Sequence, residues 1–304
     1  MKKQFQNAIL LLLIFAAAWL LLDGGVRSTA EAGVRLCLGS VIPALFPFMV
    51  VSSLLMSMGF GEWLSGPLSG LMALYGIDGA GASALVLGLL GGYPLGARTA
   101  AELYRGQLLS KEETTRLLSF CNNVNPAFLI TVLGTGVFGS FQAGLWLWLI
   151  HVAAALITGL ILSGSHRRQR PAKNFRRAAF RAEKLSVAMV SAAESASKGT
   201  LKVCAFVLTF SILARPCQSL GGTGGILLSG LLELFSTIPL LTADRAGFML
   251  AAGLAGWGGT SVLCQTAALL SDTDLPLWPC AAGKALQGIL SAGLAALLAD
   301  YVLG

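Results

Sequence analysis

Apolar runs of two lengths alternate along this chain. Residues 36–59, 141–162, 201–220 and 275–303 are each long enough, at 1.5 Å per residue, to cross an apolar layer of about 30 Å as one helix. Residues 5–22 add a further run after Met1-Lys2-Lys3. They read as a retained span, because Asp23-Gly24-Gly25 is a poor context for leader cleavage. Pro43 and Pro47 predict a kink near the start of the 36–59 helix. Residues 63–77 are short and Gly-punctuated, which suits an interfacial helix, and so is the amphipathic stretch 175–200.

The shorter runs are more informative. Residues 80–90 are apolar but make a helix of only about 16 Å, half the layer. Gly91-Gly92-Tyr93-Pro94-Leu95-Gly96 follows, then a second short helical run at 97–104. Two half-length helices around a Gly/Pro turn predict a re-entrant hairpin with its tip inside the layer. Such backbone is tolerated only where protein buries it or it lines a wet cavity. Residues 246–270 repeat the plan around Gly256-Trp257-Gly258-Gly259-Thr260-Ser261. Between them, Ser110 and Glu113 have capping-box spacing at the start of a helix. That helix is interrupted at Asn122-Asn123-Val124-Asn125-Pro126 and resumes over 127–138, so it reads as one crossing helix broken near its middle.

The halves match in order: 44–59 with 204–222, 69–76 with 229–236, 88–103 with 253–269, and Cys121–Asn125 with Cys280–Lys284. The first repeat opens with an inward helix and the second with an outward one. The expected fold is therefore an all-α polytopic membrane protein of two inverted repeats, each with a re-entrant hairpin and a broken transmembrane helix. Its parts are an N-terminal helix and outer loop (1–35), the first repeat (36–162), a basic loop with an interfacial helix (163–200) and the second repeat (201–304). Matched interruptions in two inverted halves point to a secondary transporter whose substrate site lies where they meet.

Composition agrees. Charged residues are 12% of the chain, against about 25% in soluble domains, and mean hydropathy is +0.76. The net charge of +7 is not a nucleic-acid signal, since eight of the 21 Lys and Arg fall between Arg167 and Lys184. A short basic loop marks the cytoplasmic side. It places the amino terminus and residues 164–184 inside, and by parity Asp272 and Asp274 outside. The six cysteines form no CxxC, His151 and His166 have no metal-like spacing, and no nucleophile–base pair occurs. The chain is expected to be no enzyme and to hold no cofactor or metal. Its expected partners are the bilayer, a small-molecule substrate, a coupling H+ or Na+, and a second copy of itself.

"GYPLGARTAAEL", "LSKEETTRLLSFCNNVNPAF" and "GTSVLCQTAALLSDTDLP" resemble the nucleoside-recognition (Gate) domain proteins, and among them the YlbJ family of sporulation integral membrane proteins. The resemblance covers roughly residues 44–296. The family is similar to the core of concentrative nucleoside transporters. It implies export of dipicolinic acid from the mother cell, at the outer forespore membrane. A nucleoside or nucleobase transporter and a non-transporting scaffold in spore envelope assembly are the alternatives. Gly283-Lys284 is followed by Ala285, so no phosphate-binding GxxxxGK[ST] is present.

Candidate substrate residues follow from placement. The tips supply Gly92, Tyr93 and Gly258. Asn122, Asn123 and Asn125 carry amides that both donate and accept, in an interrupted helix. Lys284, eight residues into the last span, needs an anion or a wet cavity. Arg98, at i,i+4 from Glu102, is an anion contact or half of a structural ion pair. Thr260, Ser261 and Gln265 form the polar set after the second Gly cluster. Glu233 stands alone in apolar sequence, as a proton-coupling carboxylate, a partner for Arg245 or an exposed side chain.

Overall fold

The computed structural model describes residues 22–164 and 184–304, with residues 10, 11, 14 and 18–20 before them. Most of the 5–22 span, the basic loop and the first part of the 175–200 helix lie outside the described residues. The rest is helical, with no strand among the described residues. Five stretches are long and apolar enough to cross a membrane: Val26–Leu55, Phe141–Ser163, Leu185–Gln218, Arg245–Leu270 and Trp278–Leu303.

Helix α1 (Val26–Leu36) passes through a π-helical turn, Cys37–Val41, into α2 (Ile42–Ser57). The wide turn sits where the kink is expected, because the Pro43 ring would collide with the carbonyl four residues back. Short helices α3 (Phe60–Ser65) and α4 (Ser69–Leu74) lead to α5 (Ala82–Leu90) and α6 (Leu95–Arg105). Next come α7 (Lys111–Leu118), an unwound stretch, a π-helical segment Phe128–Val137, and α8 (Phe141–Ser163). The second half holds α9 (Leu185–Gln218), α10 (Gly222–Leu232), a 3-10 turn Phe235–Leu240, α11 (Arg245–Trp257), α12 (Thr260–Leu270) and α13 (Trp278–Leu303).

Helices α5 and α6 lie against each other, so close that a Cβ on Gly88 would stand 3.1 Å from the Gly96 Cα. The matching arms in the second half do not pair in this way. Helix α11 packs along α13, where a Cβ on Gly256 would come within 2.7 Å of the Gly288 Cα, a small-residue contact of the kind that lets membrane helices approach. Helix α12 meets α6 instead. The start of α11 is tied to the end of α13 through Arg245 and Asp300. The end of α12 is tied to the end of α6 through Arg105 and Asp272, 2.5 Å apart. Residues 245–270 therefore run from one end of the bundle to the other as a helix broken in its middle, and the expected hairpin at 246–270 is corrected.

Parity changes with it. Lys111 pairs with Asp274 at 2.8 Å, and the Tyr104 hydroxyl donates to the same carboxylate at 2.6 Å. Asp272 and Asp274 thus share an end of the bundle with Arg105, Lys111 and the close of α8, the end from which the basic loop departs. The expectation that they lie opposite that loop is overturned, and α13 runs away from the basic end. Counting 246–270 as a hairpin omitted one crossing. Helix α9 also differs: the expected interfacial helix and the following span are one helix of 34 residues. Nothing breaks it between Ser195 and Leu201, and a Cβ on Gly199 would lie 2.3 Å from the Met49 methyl carbon of α2.

The latch at the basic end has a defined pH window. Hydrogen bonds from Arg105 to Asp272, and from Lys111 and Tyr104 to Asp274, hold both carboxyls below their ordinary value, while Asp274 raises the Lys111 ammonium. The carboxylate contributions are present above the ordinary carboxylate value and are lost as pH falls through the lowered ones. The Lys111 contribution is lost as pH rises through its raised value. The latch is intact across neutral pH. In a background without Cys217 and Cys264, the two cysteines that are not buried, cysteines placed at Thr273 and Lys173 should react with a membrane-impermeant maleimide from the same side. Labelling from opposite sides would show this path of the chain to be wrong.

Candidate substrate site

The site is built on the gap between α7 and the Phe128–Val137 segment. Pro126 has no N–H and pushes Asn125 out of helical geometry, so the helix cannot continue. Side chains take up the freed backbone groups. Asn125 Oδ1 accepts from the Phe128 N–H at 2.8 Å and so caps the next segment. Asn123 Nδ2 donates to the Phe120 carbonyl at 2.8 Å, and the Val124 N–H donates to His151 Nε2 at 3.2 Å.

Glycines let neighbouring helices close on this gap. A Cβ on Gly88 or Gly96 would stand 1.6 or 2.0 Å from the Cys121 carbonyl oxygen, and one on Gly283 would stand 1.8 Å from that of Ser119. The close approach of α13 brings Lys284 in. Its ammonium donates to the Asn122 carbonyl at 3.1 Å and to Gln287 Oε1 at 3.0 Å, and the side chain is fully buried. Gln287 Nε2 in turn donates to Asn123 Oδ1 at 2.9 Å. No ion pair among the described residues includes Lys284.

The other interruptions arrive at the same place. Gly92 has φ +80°, and a Cβ there would meet the Asn125 Cβ at 2.8 Å. Gly258 has φ +82°, and its Cβ would lie 3.5 Å from both Lys284 Cε and Tyr93 Cε1. A Cβ on Gly259 would lie 3.2 Å from the Cα of Glu233, where α10 ends. The α5–α6 turn, the Asn gap, the glycine pair and the end of α10 therefore converge.

Among the predicted site residues, Gly92, Tyr93, Asn122, Asn123, Asn125, Gly258 and Lys284 come together. Ser261 and Gln265 are buried on α12, 3.4 Å apart, and the next residue, Thr266, accepts from Asn122 Nδ2 at 3.1 Å. Four buried polar atoms there have no protein partner: Tyr93 Oη, Asn122 Oδ1, Asn125 Nδ2 and Gln265 Oε1. Each is a buried polar group whose hydrogen bond the fold leaves unmade. Arg98 and Thr260 lie elsewhere. Arg98 pairs with Glu102 at 2.9 Å, donates to Ser195 at 2.7 Å and lines a separate cavity of about 410 Å³ with Pro94, Lys198 and Lys202. Thr260 donates to the Leu231 carbonyl at 3.0 Å.

His151, Thr266 and Gln287 join the network without having been expected there. Gln287 carries a readable signal, being polar and one helical turn after Lys284 in an apolar span. His151 had only its isolation in an apolar helix. Cys280–Lys284, expected to correspond to the broken stretch at Cys121–Asn125, lies inside the unbroken α13. Glu233 is buried and does not pair with Arg245, which takes Asp300.

Residues 38–165 match the family model described as Gate, nucleoside recognition. The chain is 26% identical to the sporulation integral membrane protein YlbJ of Bacillus subtilis (strain 168) over 335 aligned residues, which cover 94% of this chain and 82% of the relative. No solved structure matches. The resemblance drawn from the hairpin and Asn motifs is thus borne out, and with five stretches long and apolar enough to cross a membrane among the described residues the chain is a multi-pass membrane protein.

The glycine contacts predict an asymmetric response along α13. Gly283→Ala should lower the melting temperature in detergent, with overpacking costing about 1–3 kcal/mol. Gly293→Ala, where a Cβ meets nothing within 4 Å, should leave it unchanged. Equal melting of the two variants would contradict the packing described.

Proposed function

We propose that this chain is a secondary transporter for a small heteroaromatic anion, and that dipicolinate is its substrate. The observation that carries the reading is the Lys284 ammonium, buried where four helix interruptions converge and matched by carbonyls instead of a carboxylate. A buried cation of this kind is costly unless a counter-charge reaches it. The unpartnered Tyr93, Asn122, Asn125 and Gln265 atoms supply a ring and amides for a flat, hydrogen-bonding ligand. The relative's printed name supports a sporulation role, and the forespore outer membrane is the location proposed with it.

The same reading gives the two halves a common plan in a new register. In the first, α5–α6 is the re-entrant hairpin, and α7 with Phe128–Val137 is the broken helix. In the second, α10 with the Phe235–Leu240 turn is the hairpin, and α11–α12 is the broken helix. The halves are inverted, and the substrate passes between the hairpin tips by alternating access. Transport, not catalysis, is the activity.

A nucleoside is the second reading. The matched Gate region, whose description is nucleoside recognition, includes Tyr93 and all three asparagines. Lys284→Met separates the two. Purified wild-type protein should bind dipicolinate in preference to nucleosides. The variant should fold, melting somewhat below wild type because the Asn122 carbonyl and Gln287 lose their donor, and should bind dipicolinate at least tenfold more weakly, since a hydrogen bond to a charged group contributes about 1.5–3 kcal/mol. Dipicolinate binding at wild-type strength by the variant would exclude the anion site. Nucleoside binding in its place would favour the second reading, and binding of neither would leave a scaffold.

A further inference from the structure

Three side chains that carry formal charge are buried among the described residues: Glu113, Lys284 and Glu233. Glu113 serves the capping box at the basic end and also accepts from the Asp78 N–H at 2.9 Å. Lys284 belongs to the network above. Glu233 holds only the turn that follows it. Its carboxylate accepts from the Ser236 N–H at 2.6 Å, and no ion pair among the described residues includes it. A neutral side chain with one oxygen would cap that turn equally well.

Its position is more telling than its bonding. Glu233 and Lys284 flank the same glycine pair, Glu233 against Gly259 and Lys284 against Gly258, with the Tyr93 ring also against Gly258. The groups facing Glu233 are the Tyr93 hydroxyl from the α5–α6 turn and Cys37 from the π-helical turn, with its contact Cys204 on α9. Helix α11 turns its only charge, Arg245, to Asp300, and Cys264 on α12 is exposed. Phe128–Val137 carries no titratable side chain. Among the described residues Lys284, on the other side of the glycine pair, is the one buried Lys or Arg.

We propose that Glu233 is the proton-carrying group of the transport cycle, so that one proton travels with each molecule of anion. This rests on the transporter reading above. With no substrate, one buried ammonium and one buried carboxylate balance across the glycine pair. An anion that occupies Lys284 leaves the carboxylate uncompensated in an apolar setting. A proton from the aqueous phase, taken up on a Glu233 oxygen, restores the balance. Release of the anion returns Lys284 to its compensating role, and the proton leaves to water. No bond other than the O–H is made or broken. Because Glu233 stands at the end of α10 and not on the Lys284 network, its neutralisation also removes the reason for that tip to remain near the cation.

Two measurements test this. In lightly buffered detergent solution, addition of dipicolinate to wild-type protein should draw protons from the medium. In proteoliposomes, a pH gradient should concentrate dipicolinate through the wild type. Glu233→Gln keeps the cap but cannot titrate, and its gradient-driven accumulation relative to equal-pH exchange should fall at least tenfold. Glu233→Asp should restore part of that ratio. Wild-type binding without proton uptake, or undiminished accumulation by Glu233→Gln, would overturn the proton role and leave the transporter intact. Wild-type protein that neither binds nor exchanges dipicolinate would overturn both. If Glu233→Gln does not fold, Glu233→Asp decides, an unshifted pH profile of accumulation overturning the proton role.

Discussion

Backbone polar groups inside an apolar layer must find partners within the protein, and every unusual feature of this chain answers that demand. A helix that stops midway leaves free N–H groups and carbonyls where water cannot reach them. Here Asn123, Asn125 and His151 take up groups freed between Leu118 and Phe128, and Lys284 takes the Asn122 carbonyl. The polar residues at the centre are thus structural before they are functional. Removing the interruption would remove the need for them.

Glycine makes the arrangement compact. With hydrogen atoms in place of side chains at Gly88, Gly96 and Gly283, three helices press directly onto the carbonyls of Ser119 and Cys121. The first turn, the Asn gap and the last helix are consequently held in one block. The end of α10 is joined to the glycine pair by close backbone packing against Gly259 and by hydrogen bonds from Trp257 and Thr260 to the Leu231 carbonyl.

Local signals in the sequence were sufficient for some of this and not for the rest. Ser110 and Glu113 announce their capping box within four residues, and Asn122 to Pro126 announce a break within five, because both depend on neighbours in the chain. The path of residues 245–270 depends on distant partners. Gly258-Gly259 interrupts a helix in the same way whether the chain turns back or goes on. The decision lies in Arg245 meeting Asp300 and Arg105 meeting Asp272. Reading that stretch as a hairpin also misassigned the side of every later residue. The site was legible through its amides and Lys284, whose polarity stands out against apolar flanks. His151 and Gln287 were not, since a lone polar residue in a span acquires meaning only from the helix facing it.

Helix α9 carries one more implication. Its 34 residues make a rod of about 51 Å, well beyond a hydrocarbon core of about 30 Å. Its exposed positions are apolar at Leu185, Val187, Met189 and Val190 and again at Leu201 and Leu213, with the exposed Glu194–Lys198 pair between them. A rod of that length exceeds the core it crosses, and its lean, fixed by packing against neighbouring helices, responds to the thickness of the surrounding lipid. Because α9 lies along α2 and lines the cavity beside Pro94, a thicker or thinner bilayer would alter the width of that approach. Lipid chain length would then act on the protein as an effector with no binding pocket of its own.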